Sequence, residues 1–212
     1  MMASGGVKGK SGSRNGVAQK VEQRVEELNP EESQMWSEDP SVYQALADPA
    51  RKEKMIDTML EEEWYDTEEE IQELVDVANK IRDLAETQTV TGVTTLYRGE
   101  SFKSLAAAQA KYKVGAEISN TQLTSYATDK SVAQSYASMY GTTAVVIKNV
   151  SKNGDFVGLR TQHYGEKPGE GVEVITPKNL TSKVVATRYD KATNTLFVDM
   201  ENFETPKKTK KK

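Results

Sequence analysis

The sequence predicts an α+β domain in which an antiparallel-rich sheet is preceded by an N-terminal lobe of helices. Two observations carry this reading. Up to Thr87 apolar residues recur every three or four positions, as on one face of a helix, and after it β-branched residues and alternation take over. Six short strand-like segments then follow one another, at 89–100, 123–129, 142–151, 171–177, 182–190 and 194–202, without the regular strand–helix alternation of a parallel sheet.

Residues 1–16, MMASGGVKGKSGSRNG, are small, polar and basic, and are expected to form a flexible arm, because they offer too little apolar surface to offset the entropy of ordering. A helical lobe is expected over 17–90. Its first helix rests on the spacing of Val17, Val21, Val25 and Leu28, with Asn29-Pro30 ending it. A second is expected over 40–63, strongest from Ala50 onwards. The third is the clearest: Asp66 or Thr67 serves as N-cap, acids fill the first turn, and Ile71, Leu74, Val75, Ala78, Ile81 and Leu84 share one face. The core is expected over 91–203. Between its strands, SLAAAQAKYK (104–113) and KSVAQSYASMYG (130–141) have helical composition. The polar turn Lys191-Ala192-Thr193-Asn194 joins the last two strands and predicts an antiparallel hairpin over 183–200. Residues 204–212 read as a basic, solvated tail.

A chain of 212 residues accommodates one ordinary domain with a helical subdomain and one active site. The absence of cysteine excludes disulfides, a thiol nucleophile and thiolate-bound metal, and the single His163 excludes a multi-histidine metal centre. No apolar run approaches the roughly 20 residues that span a bilayer, and the N-terminus lacks the apolar core of a secretory signal. A soluble protein without a membrane partner is expected. The net charge of −4 hides an asymmetry: residues 21–90 hold 21 acidic and 6 basic side chains, whereas 91–206 hold 11 acidic and 13 basic.

Three segments place one polar residue amid apolar neighbours at a strand end or turn: LYRGES with Arg98, LTSYATD with Ser125, and PGEGVEVITP with Glu173. An arginine between Tyr97 and Gly99 suits a phosphate or paired hydrogen bonds, while the glycine lets another backbone or a ligand come close. A strand arginine paired with a surface acid would look the same. Val172 and Val174 flank Glu173, so a strand that buries the valines turns Glu173 to a cleft or to solvent. A carboxylate in a cleft can stabilise positive charge developing on a sugar ring, or orient a nucleophile.

The three segments together, in this order on this pattern of strands, resemble the R-S-E clade of mono-ADP-ribosyltransferases, of the bacterial toxin or phage effector type. Leu96-Tyr97-Arg98-Gly99 matches the first-strand arginine motif, Leu123-Thr124-Ser125 the serine motif, and Glu173-Val174-Ile175 with Pro177 the glutamate motif. The resemblance covers about 91–200, slightly over half of the chain. It implies an NAD-dependent ADP-ribosyltransferase that uses NAD as substrate without a metal, splits the nicotinamide–ribose bond, and passes ADP-ribose to a macromolecular acceptor, a protein or else a nucleic acid. It implies an ADP-ribosyltransferase-like core and a cytoplasmic location, or delivery into a host cytoplasm. A NAD glycohydrolase and a catalytically inactive binding or virion-associated protein of the same fold are the alternatives.

Carried over by position, the resemblance makes Glu173 the catalytic carboxylate. Ser125 supports it and the nicotinamide side of the pocket, and Arg98 holds an NAD phosphate or ribose. Tyr97 and Gly99 join Arg98 and Ser125 in binding NAD, the Gly99 backbone facing the nicotinamide amide. Two departures stand out. The serine motif continues Tyr126-Ala127 in place of the usual Thr-Ser, and position 171, where arginine-modifying relatives carry glutamate, is Gly171 with Glu170 one residue earlier. The glycine-rich loop 158–171 carries His163, Tyr164, Glu166 and Glu170, and in the family this loop faces the acceptor. Tyr164 and Glu170 are therefore the expected acceptor contacts.

Overall fold

The computed structural model describes residues 27–65, 67–161 and 172–203. The arm, the expected helix over 17–28 except for its last two residues, the basic tail, Asp66, and the loop residues His163, Tyr164, Glu166 and Glu170 lie outside the described residues.

Asn29-Pro30 opens a helix. In α1 (Pro30–Glu38) the Asn29 side chain accepts from the Glu32 amide while the Glu32 carboxylate accepts from the Asn29 amide, and Pro30 occupies a first-turn position where a missing N–H is harmless. The single helix expected over 40–63 is two, α2 (Pro40–Leu46) and α3 (Lys52–Glu61). Pro49 cannot donate to a preceding carbonyl. The buried Asp48 beside it accepts from the Ala50 amide (3.1 Å), Arg51 Nε (3.2 Å) and Lys178 Nζ (3.1 Å), which fixes the break and ties the lobe to the sheet domain. α4 (Glu68–Thr87) follows its expected course, with Thr67 and Glu70 as a capping box and all six expected face residues buried.

The core contributes β1 (Thr95–Phe102), α5 (Leu105–Lys111), β2 (Glu117–Ser119), β3 (Thr124–Ala127), α6 (Lys130–Ala137), β4 (Thr143–Ser151), β5 (Leu159–Arg160), β6 (Glu173–Thr176), β7 (Thr181–Asp190) and β8 (Thr195–Asn202). The strand order is β2-β7-β8-β4-β1-β3-β6-β5, and every neighbouring pair is antiparallel except β4–β8. This is the expected α+β architecture, including the β7–β8 hairpin. The first strand starts at Thr95, later than the β-branched run suggests, since Val90 and Val93 pack on Phe156 in a loop cluster. β2 and β5, of three and two residues, were not expected, because so short a segment cannot display alternation. Leu159 and Arg160, expected in the glycine-rich loop, form β5.

β1 runs beside β4 over eight residue pairs but meets β3 at one, Tyr97 opposite Ala127. The sheet thus divides into a part ending at β1 and a part made of β3, β6 and β5, with a seam between them. Trp36, Leu46, Met59 and Ile81 of the lobe share a core with Leu123, Leu159 and Ile175, so the lobe covers the second part. On the first part, Val145 and Ile147 face α5 while Val146 faces α6, the alternation of a strand covered on both sides.

Candidate active site

Glu173 opens β6 opposite Ala127, which in turn stands opposite Tyr97, so the strand register delivers the glutamate to the seam. Ser125 is two residues before Ala127 and therefore on the same face of β3. The Ser125 hydroxyl and the Trp36 indole Nε1 (3.2 Å) both donate to Glu173 Oε1, and the Thr161 hydroxyl donates to Oε2 (2.8 Å). Donors from β3, the lobe and the residue after β5 thus converge on one carboxylate, which when ionised accepts only.

Arg98 Nη1 donates to the Ser125 carbonyl (2.7 Å), and its Nε donates to Glu100 Oε1 (3.3 Å). Glu100 Oε2 accepts from Tyr112 OH (2.7 Å) and from Lys111 Nζ (2.9 Å). Burial acts to raise the Glu100 carboxyl, but the Tyr112 bond and the nearby Lys111 and Arg98 outweigh it and hold the group below the usual carboxylate range. Burial, and then the Glu100 charge, push the Tyr112 phenol up. An ionised Glu100 therefore braces the guanidinium from behind, while a third of the Arg98 side chain (33%) remains exposed. Since a guanidinium carries five N–H donors, the fork keeps capacity for an anion.

The structure brings Arg98, Ser125 and Glu173 into one continuous network. It gives Gly99 a packing reason: a Cβ there would collide with the Ala133 carbonyl oxygen and lie 2.6 Å from the Ala137 nitrogen, because α6 crosses directly over β1. Tyr97 packs with Ala133, Ala137 and Val146 beneath α6. It also lines a cavity of about 370 Å³ with Lys130, Lys148, Arg188, Phe197 and Asp199, which reaches none of Arg98, Ser125 or Glu173. Lys130 Nζ and Arg188 Cζ sit 5.0 and 4.5 Å from the centre of the Phe197 ring. Tyr164 and Glu170 lie outside the described residues.

Sequence reasoning missed Trp36, Thr161 and the Glu100–Tyr112 pair. Glu100 was within reach, as it lies two residues from Arg98 on the same strand face. Nothing local marks Trp36, whose partner is 137 positions away.

The sequence matches no protein-family model and no curated protein. Solved structures do resemble it in shape. The ADP-ribosyltransferase Vis in complex with agmatine, Vis being a toxin from Vibrio splendidus, aligns with a TM-score of 0.53 at 16% identity, over 88% of this chain and 80% of that one. An ADP-ribosyltransferase from Clostridium botulinum gives 0.51 at 12% identity, over 84% and 88%. The Salmonella SpvB ATR domain gives 0.50 at 16% identity, over 82% and 98%. At these identities the likeness shows the fold: the chain adopts the fold of ADP-ribosyltransferases.

Proposed function

We propose that this protein is a mono-ADP-ribosyltransferase of the R-S-E type, which cleaves NAD at the nicotinamide–ribose bond and transfers ADP-ribose to a macromolecular acceptor. One observation carries the reading: on an ADP-ribosyltransferase fold, Arg98, Ser125 and Glu173 meet in one hydrogen-bonded network at the seam of the sheet. In the reaction the N-glycosidic electron pair leaves with nicotinamide, and the ribose ring takes up positive charge until an acceptor nucleophile bonds to its anomeric carbon and gives up a proton. Glu173, held by Ser125, Trp36 and Thr161, stabilises that charge and binds a ribose hydroxyl. Arg98, braced by Glu100, takes an NAD phosphate or ribose, and the backbone at Gly99 faces the nicotinamide amide.

Purified protein incubated with NAD should release nicotinamide and label a macromolecule from a lysate. Nicotinamide release without any label would assign a glycohydrolase, and neither product would overturn the reading. Arg98→Ala should raise the KM for NAD by about 10- to 100-fold, the scale of a lost charge-assisted hydrogen bond. An unchanged KM would make Arg98 a purely structural residue.

Acceptor choice is assigned to Tyr164 and Glu170 on the ground that in the sequence they fall in a glycine-rich segment just before Glu173, and binding residues concentrate in such connecting segments. Tyr164→Ala and Glu170→Gln should then lower acceptor labelling several-fold more than NAD hydrolysis by water. Equal loss of both activities would place these residues in the NAD site. One structural neighbour binds agmatine, a guanidine, yet Gly171 stands here where arginine-modifying relatives carry glutamate. Arginine becomes the leading acceptor residue if Glu170→Gln alone abolishes both activities, since Glu170 would then replace the missing carboxylate.

A further inference from the structure

We infer that Trp36 is a positioning residue: its indole N–H holds the Glu173 carboxylate in one orientation from outside the sheet, so that the helical lobe must be docked for the glutamate to work. The inference rests on the reading of Glu173 as the catalytic group. A glutamate on a strand is fixed by its backbone only as far as Cβ. Its last torsion, which turns the carboxylate plane, is broad and weakly preferred, so the plane must be set by donors. Ser125 and Thr161 are such donors, but each carries a rotatable hydroxyl, and each lies in or directly after a strand of the same part of the sheet as Glu173. Trp36 differs on both counts.

Its donor points in a direction fixed by a rigid ring, and that ring is wholly buried, with 0% exposure in the core that the lobe shares with Leu123, Leu159 and Ile175. The helix that carries it is fastened twice. Asn29 and Glu32 cap α1, and Glu32 also pairs with Lys80 of α4 (2.8 Å), which locks α1 against the longest helix of the lobe. An indole N–H that is buried requires an acceptor. Apolar packing alone would have been served by phenylalanine or leucine, neither of which brings a donor that needs one. Here the acceptor chosen is Oε1 of Glu173, the oxygen that Ser125 also holds.

Two measurements test this. The chain has two tryptophans, and Trp64 is 47% exposed while Trp36 is buried, so the two indole signals in a ¹H–¹⁵N spectrum are readily told apart by solvent exchange. Glu173→Gln should move the Trp36 indole signal and leave that of Trp64 in place. An unmoved Trp36 signal would overturn the inference without any appeal to activity. In steady-state assays, Trp36→Phe, which keeps an apolar ring and removes the donor, should lower kcat for nicotinamide release by about 10- to 100-fold, the scale of one hydrogen bond to a charged group, and hold the KM for NAD within about threefold. A normal kcat, or a raised KM with kcat intact, would reduce Trp36 to a packing residue. Should Trp36→Phe fail to fold, the indole shift decides. If the unaltered protein releases no nicotinamide, it is the proposed activity that fails, and the indole result still reports whether the contact exists.

Discussion

Glu173→Gln is expected to lower NAD cleavage by roughly 100- to 1,000-fold, the usual loss on removing a preorganised electrostatic partner, while NAD binding stays within a few-fold. The substitution preserves shape: the amide oxygen can accept from Trp36 and Ser125, and the amide NH2 can donate to the Thr161 hydroxyl, which turns to accept. What it removes is the negative charge. The ground state of NAD has little use for that charge, whereas the transition state places growing positive charge on the ribose, so the effect falls on kcat and spares binding. Nicotinamide release under saturating NAD, together with a direct binding measurement, separates the two quantities. Near-normal turnover would remove Glu173 from the chemistry, and equal losses in turnover and binding would mean that the carboxylate serves mainly to hold the pocket together.

Gly99→Ala is expected to destabilise the fold by about 2–3 kcal/mol, the upper part of the range for overpacking, which for a chain of this length lowers Tm by about 5–10 °C. The added methyl meets backbone atoms of Ala133 and Ala137, not the yielding tip of a side chain. α6 cannot back away cheaply, because Asp129 caps its first turn through the Ser131 amide (2.7 Å) and Ser101 donates from β1 to the Ala137 carbonyl (2.9 Å). Thermal unfolding distinguishes this from a role in NAD binding alone. A variant that melts normally but loses affinity for NAD would show that the glycine serves the ligand and not the helix.

Much of this molecule was legible because the relevant physics is local. The capping box of α4 spans four residues, the face that packs beneath it repeats every three or four, and the β7–β8 hairpin follows from two alternating segments and a polar turn. Arg98, Ser125 and Glu173 could be singled out for the same reason, each being one polar residue in an apolar setting a few positions long. Where the structure departs from the expected course, as in the helix over 40–63, contacts distant in the chain take part. At Asn29-Pro30 the start of α1 is itself local, a capping box with Glu32 three residues on, and the expected helix before it lies outside the described residues. The break at Asp48-Pro49 is held partly by Lys178, which lies 130 positions away.

The sequence by itself determined the α+β class, the order of most helices and strands, and which three side chains stand out as candidates for the chemistry, since periodicity, caps, turns and short motifs are all written within a few residues. Only the tertiary structure decided that these side chains meet at a seam where β1 and β3 share a single residue pair, that Gly99 is required by a helix crossing above it, and that Trp36 from the lobe reaches Glu173. The physical reason lies in the nature of a buried polar group: it must find a partner, but which partner depends on how elements far apart in the chain pack, and the residues on either side of it carry no record of that choice.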